Sequence, residues 1–128
     1  MNVRIVGARE AADELTKLAK KSPRAMERAF YKYGNEEMKE AKRLTPKDEG
    51  TLRDSGIVDE PRWEGSNLVM ELGFGGAAEE YAAIVHEDLE AFHAEGQAKF
   101  LETPLNESEP YLDQRVGADF EHFMGLDK

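Results

Sequence analysis

The chain has 128 residues, no cysteine and a formal net charge of −10 at pH 7. This length fits one core, so we expect residues 1–128 to form a single domain. The lack of cysteine excludes a disulfide framework and a zinc-thiolate site, and the surplus of carboxylates argues against a protein whose main role is to hold nucleic-acid phosphates. No apolar run approaches the roughly 20 residues of a membrane span, and no signal-peptide pattern follows residues 1–4. We therefore expect a protein made in the cytoplasm, with no membrane partner.

The N-terminal part of the sequence predicts a short strand followed by a helix. Val3 and Ile5 alternate with polar neighbours, which is typical of a strand, and Gly7 ends this pattern. From Ala8 to Ala19 the apolar residues recur at helical spacing. We therefore expect an amphipathic helix that begins near Ala8.

A second, longer helix is predicted from residue 23 to about Leu44. Ser22 and Pro23 are typical of an N-cap and a first helical position. Glu37 interrupts the apolar stripe of this helix in mid-face. Two interpretations remain open for Glu37: a residue at the edge of the stripe, or a subunit contact.

The segment after this helix predicts a corner between a helix and a strand. Pro46 stops the helix, because proline has no amide proton and disfavours helical geometry in the preceding residue. Asp48 and Gly50 supply turn chemistry, and we expect a positive φ at Gly50.

The middle of the chain predicts an antiparallel hairpin. Residues 57–58 form its first strand and residues 63–66 its turn. Residues 67–74 alternate in polarity, as a half-buried strand does. Pro61 is best tolerated if the first strand lies at an edge.

The last third of the chain predicts further helices. Residues 81–85 have helical spacing, whereas residues 87–97 are acidic and predict a loop. Thr103 and Pro104 resemble an N-cap and a first helical position, and Pro110 restarts or kinks the helix that follows. Its apolar stripe comprises Leu105, Leu112, Val116, Phe120 and Phe123. Together the elements predict an α+β fold, with N-terminal amphipathic helices packed on a small antiparallel sheet and a C-terminal helix.

The sequence offers little catalytic chemistry. His86 and His93 lie near acidic residues, but their spacing matches no metal-ligand motif. Neither Ser55 nor Ser66 lies in a nucleophile elbow, and Gly73–Gly76 lacks the lysine and hydroxyl residue of a phosphate loop. We therefore expect no catalytic residue, no metal and no cofactor.

Three segments, in this order, resemble the head–tail joining or tail-completion proteins of long-tailed phages, the small neck proteins related to the tenth gene product of a lambdoid phage. A Thr-Pro pair followed by an acidic residue, Gly, Leu-Arg and Ser matches Thr45, Pro46, Asp48, Gly50, Leu52, Arg53 and Ser55. A Tyr-Ala pair followed by Val-His-Glu matches Tyr81, Ala82, Val85, His86 and Glu87. Phe-Leu followed by Pro and an aliphatic residue matches Phe100, Leu101, Pro104 and Leu105. The resemblance covers about residues 1–107 and departs from the family pattern at Glu49, where a small hydroxyl residue is expected.

The resemblance implies a non-enzymatic structural protein of the virion neck, which joins the head connector to the tail and completes the tail. It implies a ring of identical subunits whose partners are portal, adaptor or stopper proteins on one side and tail-tube or tail-terminator proteins on the other. DNA would pass through the channel without specific binding. Residues expected to determine the fold are Pro46, Gly50, Leu52, Arg53, Ser55, Tyr81, His86, Phe100 and Leu101. Arg53 is also expected to form a buried or interfacial pair.

Charge is distributed unevenly along the chain. Residues 1–53 contain 13 basic and 9 acidic residues, a net of +4, and residues 54–128 contain 4 basic and 18 acidic residues, a net of −14. In a ring this asymmetry predicts head-to-tail contacts between the two halves of neighbouring subunits. The expected interface residues are Glu37, Lys39, Lys42, Arg43, Leu89 and Phe92.

Two other classes of function remain open at the level of sequence. One is an acidic regulatory or decoy module that binds a host protein, for example by imitating the charge of nucleic acid. The other is a small hydrolase that uses His86 and nearby carboxylates.

Overall fold

The computed structural model describes residues 2–8, 14–46, 50–65, 67–75, 87 and 99–126. The elements within these residues are, in chain order, β1 (Asn2–Ala8), α1 (Glu14–Lys21), α2 (Pro23–Leu44), α3 (Gly50–Asp54), β2 (Gly56–Val58), β3 (Arg62–Glu64), β4 (Asn67–Phe74), α4 (Glu102–Ser108), a 3-10 turn (Glu109–Tyr111) and α5 (Leu112–Leu126). The predicted α+β class is confirmed, since a long helix and a C-terminal helix accompany a small antiparallel sheet.

Strand β4 is the centre of the sheet. It pairs with β1 along one edge, from Asn2 opposite Gly73 to Ala8 opposite Leu68. Along its other edge it pairs first with β3 and then with β2. All three pairings are antiparallel, which confirms the predicted pairing of the first hairpin strand with residues 67–74.

The hairpin itself differs from the prediction in its turn. Trp63 was expected in the turn but lies in β3, and the chain reverses at Gly65, whose φ is +64°. Pro61 interrupts the outer edge between β2 and β3, where no ladder hydrogen bond is required from it. The four residues predicted on the inner face of this strand, Leu68, Met70, Leu72 and Phe74, are buried. Val69 on the predicted outer face is buried as well, so the strand is covered on more than one face.

Helix α2 has the predicted limits because local caps define both ends. The Ser22 side chain accepts a hydrogen bond from the Ala25 amide at 3.1 Å. At the other end the Thr45 amide and hydroxyl both donate to the Ala41 carbonyl, at 2.9 and 2.8 Å. Pro46 follows directly and prevents another helical turn.

Three other helix boundaries depart from the sequence prediction. Ala8 belongs to β1 rather than to the first helix, and the described part of that helix begins at Glu14. The short helix α3 was not predicted. Thr103 was expected as an N-cap, but α4 begins at Glu102 with Leu101 at the N-cap. Pro110 lies in the 3-10 turn that separates α4 from α5, so a new helix begins after it, as predicted.

The core lies on both sides of α2. This helix contacts β2 and β4 on one side and α5 on the other, and α1 contacts α2 and α5. Gly34 permits the close approach to the sheet, since a Cβ there would lie 2.6 Å from Met70 Sδ. The largest fully buried side chains are Tyr33, Phe30, Phe74, Phe100, Phe120, Leu15, Met26, Leu52, Leu68, Met70, Leu72 and Leu101. A helix buried on two sides needs a wide apolar arc.

Candidate interaction surfaces

The corner after α2 is held by hydrogen bonds to backbone carbonyls. Arg53 Nη2 donates to the Thr45 carbonyl at 3.0 Å, and Ser55 Oγ donates to the Leu52 carbonyl at 2.7 Å. Leu52 and Pro46 are buried beneath this corner. Arg53 Nε is buried and has no hydrogen-bond partner among the described residues, and the buried or interfacial pair expected of Arg53 stays a prediction.

Gly50 has a different geometry from the one predicted. It is the first residue of α3, with no positive φ, and a Cβ at this position would meet no atom within 4 Å. The expectation of a left-handed glycine here was wrong, because the chain leaves the corner through a helical turn. Residues 47–49, which precede it, lie outside the described residues.

The third sequence motif contributes to the core. Phe100 and Leu101 are buried, and the Phe100 ring meets the Phe74 ring edge-on with centroids 5.0 Å apart. The remaining residues of the motifs and of the expected interface, Tyr81, His86, Leu89 and Phe92, lie outside the described residues.

Glu37 forms an ion pair within its own chain. Arg115 of α5 donates from Nη1 to Glu37 Oε1 at 2.6 Å, and the Glu37 residue is only 6% exposed. The same guanidinium lies 4.8 Å from the centre of the Tyr33 ring, whose hydroxyl is 2.7 Å from Ser108 Oγ. Burial lowers the pKa of Arg115, but the hydrogen bond to Glu37 and the negative charges of Glu37 and Glu36 together outweigh burial, and the pKa is raised. The position that interrupts the stripe of α2 therefore connects α2 to α5.

Around this ion pair, α2, α4 and α5 enclose an acidic groove. Its volume is about 410 Å³, and its lining residues are Glu36, Glu37, Glu40, Pro104, Glu107, Ser108, Tyr111 and Arg115. Four carboxylates face one guanidinium, and Tyr111 is 59% exposed at the rim. The groove can accept a positively charged group that also contacts an aromatic ring.

The basic residues expected at the interface, Lys39, Lys42 and Arg43, do not form a separate basic surface. Arg43 pairs with Glu40, and its Nε lies 3.0 Å from Glu40 Oε2. This hydrogen bond lowers the pKa of Glu40. Lys42 is half-buried with its Cε close to Gly56, whereas Lys39 is exposed.

A different basic surface surrounds the turn between α1 and α2. Residues 15–26 contain four basic residues and no acidic residue, and all four basic side chains are exposed. They are Lys17, Lys20, Lys21 and Arg24. The net charge of residues 1–53 does not reveal this cluster, because it is an average over 53 residues. The run of basic residues between positions 17 and 24 would have indicated it.

The other groove lies beside the first half of α2. Its volume is about 330 Å³, and its lining residues are Arg24, Glu27, Arg28, Tyr31, Glu60 and Pro61. Trp63 Nε1 donates to Glu27 Oε1 at 2.8 Å and so attaches β3 to this helix. Two guanidinium groups and two carboxylates balance here, so the groove has no net charge of its own.

Other kinds of site are not found among the described residues. No group of three or more His, Cys, Asp or Glu residues there is placed to hold a metal ion. His122 is exposed on α5 beside Phe123. Within the same part of the chain, no helix is both long and apolar enough to cross a membrane.

Comparison with known proteins gives one match. Residues 9–102, more than half of the chain, match the family of HK97-gp10-like proteins, which is described as a bacteriophage tail component. No curated protein and no solved structure matches the chain significantly.

Proposed function

The chain belongs to the HK97-gp10-like family of bacteriophage tail components, and we propose from this premise that it acts in the virion neck. There it joins the head connector to the tail and completes the tail, without catalysis. The single observation that carries this proposal is the family match over residues 9–102. A structural role in phage tails is the property of the family, and the neck position is our extension of it.

The order of the three sequence motifs supports this position. The corner motif ends the longest helix, and its Leu52 is fully buried. The Phe100–Leu101 motif packs into the same core as that helix. The described residues of these two motifs therefore stabilise the arrangement of α2 with the sheet, and we infer that they preserve a shape needed for assembly.

We further propose that the chain assembles as a ring between portal, adaptor or stopper proteins and tail-tube or tail-terminator proteins. A ring needs two different, complementary surfaces on each subunit. An acidic groove and a basic helix turn provide surfaces of opposite sign. In such a ring the genome passes through the channel without specific binding, because the net charge of −10 repels phosphate.

The experiment is deletion of the gene in the phage, followed by electron microscopy of the lysate. We expect filled heads and separate tails to accumulate, and the chain supplied in trans to restore complete virions. Labelled protein in the restored virions should lie at the head–tail junction. Complete, infectious virions in the absence of the protein would contradict the proposal.

A matched variant separates assembly from chemistry. Replacement of His86 and His93 together by alanine should leave virion yield unchanged, provided that the protein folds. Loss of infectivity in particles that assemble normally would indicate a chemical step and would contradict a purely structural role.

A further inference from the structure

Opposite charges are concentrated at the two ends of the helical layer. Helices α2 and α5 are antiparallel, since Arg115 contacts Glu37 and Asp119 contacts Lys32 at 3.1 Å. The C-terminal end of α5 therefore lies beside the N-terminal end of α2, where the chain leaves α1. Over the 15 residues of α5 the two ends are about 20 Å apart.

At one end the charged residues that follow Lys99 are all acidic over a long stretch, and Lys99 itself pairs with Glu102 at 3.2 Å. Residues 100–114 contain four acidic residues and no basic residue. We call this end the acidic pole, and its exposed residues are Glu102, Glu107, Glu109, Tyr111 and Asp113. It is continuous with the acidic groove, which Glu107 and Tyr111 also line, whereas Glu36 and Glu40 of that groove are already paired with Lys32 and Arg43.

At the opposite end, the turn between α1 and α2 carries four exposed basic side chains, and Glu27 and Glu121 lie nearby on α2 and α5. We call the exposed residues Lys17, Lys20, Lys21 and Arg24 the basic pole. Lys20, Lys21 and Arg24 form no ion pair with any of the described residues. By contrast Lys32, in the middle of α2, is already engaged by Glu36 and Asp119.

We propose that the acidic pole of one copy docks on the basic pole of a second copy of this chain. The proposal deepens the proposed function, since a neck ring needs such a contact, and it rests on that function for the identity of the occupant. Because each chain carries both an acidic pole and a basic pole, a second copy of the chain offers a surface of opposite charge to each of them. Tyr111 is one of two large hydrophobic residues exposed in the described part of the chain, and it is placed to cover the stems of the facing lysines.

In the proposed ring the contact is heterologous: each copy offers its acidic pole to one neighbour and its basic pole to the other, and the contact repeats until the ring closes. A two-fold axis would also pair opposite poles, twice within one closed dimer. The mass of the associated species therefore separates a ring, which the neck function requires, from a dimer.

The test measures self-association of the full chain by sedimentation velocity at about 50 mM and about 500 mM salt, because exposed charge pairs are screened by salt. We expect association at low salt that weakens at high salt. Reversal of the basic pole in Lys20→Glu, Lys21→Glu and Arg24→Glu should weaken self-association by about tenfold or more. Reversal of the acidic pole in Glu107→Lys, Glu109→Lys and Asp113→Lys should do the same.

Two further variants make the result specific. A chain with both poles reversed should associate again, because the complementarity is restored with opposite signs. The charge-preserving variant Lys20→Arg, Lys21→Arg and Arg24→Lys should associate like the wild type. Circular dichroism and a thermal melt of each variant exclude loss of fold as the reason for lost association.

The outcomes separate this proposal from the function on which it rests. Failure of the doubly reversed variant to associate, or unchanged association of both single-pole variants, overturns the docking of the poles. The docking of the poles is also overturned if the wild-type chain stays monomeric while the pole variants fail to enter virions. In that case the poles bind a different virion protein. Pole-dependent association together with complete virions in the gene deletion supports the docking and contradicts the neck function.

Discussion

Arg115 and Glu37 form an ion pair at 2.6 Å that joins α5 to the middle of α2, although 78 positions separate them in sequence. The pair occupies the floor of the acidic groove, with Tyr33 on its inner side. Glu37 is only 6% exposed, so Arg115 compensates its carboxylate where water has little access. The same ion pair therefore shapes the acidic groove and stabilises the packing of α5 on α2.

Replacement of Arg115 by alanine should lower the free energy of unfolding by about 2 kcal/mol, because it leaves a buried carboxylate without its charged partner. Chemical denaturation at pH 7 measures this change. The control is Lys39→Ala on the exposed face of α2, which should change stability by less than about 0.5 kcal/mol. Equal effects of the two variants would contradict the structural role of the pair.

A double variant tests whether the ion pair or its apolar stems stabilise the contact. Glu37→Met with Arg115→Met removes both charges and keeps most of the volume, so it should recover most of the stability lost in Arg115→Met alone. Denaturation of the two single variants and the double variant gives the coupling energy. A double variant whose loss of stability equals or exceeds the sum of the two single losses would contradict a favourable coupling between Glu37 and Arg115.

The pH dependence of stability should contain a contribution from Tyr33. Burial raises the pKa of Tyr33, and the hydrogen bond with Ser108 offsets part of this rise. The folded protein thus holds the phenolic proton more tightly than the unfolded chain, whose tyrosines ionise near pH 10. This contribution is fully present below about pH 10 and is lost as the pH rises through the pKa of the folded state.

The measurement compares denaturation near pH 8 and near pH 10.5. The wild type should lose more stability between these values than Tyr33→Phe, which has no proton to release. Tyr111→Phe serves as the control, since Tyr111 is 59% exposed, and it should behave like the wild type. If Tyr33→Phe loses as much stability between pH 8 and pH 10.5 as the wild type does, groups other than Tyr33 cause that loss.

Local signals made part of this fold predictable from sequence. The limits of α2 follow from Ser22, Pro23 and Pro46, each of which acts within a few residues of its own position. The pairing of β2 with β4 follows from the strand pattern and the turn between them. By contrast the partner of Glu37 is set by tertiary contact, and no local pattern indicated Arg115.

Short elements were the other class of missed features. Helix α3 has five residues and β3 has three, too few for a periodic pattern to form. Glycine at position 50 was read as a turn residue, although the structure uses it to begin α3. The positions of α3 and β3 affect the candidate surfaces, because the corner after α2 and the sheet edge determine which charged side chains remain exposed.

Replacement by alanine should destabilise the protein at Gly65 but have little effect at Gly50. Gly65 has a φ of +64°, so Gly65→Ala should cost about 1 kcal/mol of stability. Gly50→Ala should change stability by less than about 0.5 kcal/mol, because Gly50 is helical and a Cβ there meets open space. Thermal melts of both variants decide the point, and a larger loss in Gly50→Ala would restore the original expectation of a strained turn there.

Gly34, the one glycine of α2, should not tolerate replacement by alanine without a loss of stability. In an open helix interior, alanine is favoured over glycine by about 1 kcal/mol. At Gly34, however, a Cβ would lie 2.6 Å from both Met70 Sδ and Met70 Cε, and Met70 is fully buried, so overpacking should outweigh this gain. Gly34→Ala should therefore lower the free energy of unfolding by about 1 kcal/mol.

Two variants show whether Met70 is the cause. Gly117→Ala in α5, where a Cβ meets no atom within 4 Å, should raise stability by about 0.5–1 kcal/mol and provides the matched control. In a Met70→Ala background, whose own cost is measured separately, Gly34→Ala should become stabilising, because the space that the Cβ needs has been vacated. If Gly34→Ala stabilises the wild type as much as Gly117→Ala does, α2 does not depend on glycine for its close approach to the sheet. If Gly34→Ala remains destabilising without the Met70 side chain, Val58, whose Cγ1 would lie 3.1 Å from the same Cβ, is the limiting contact instead.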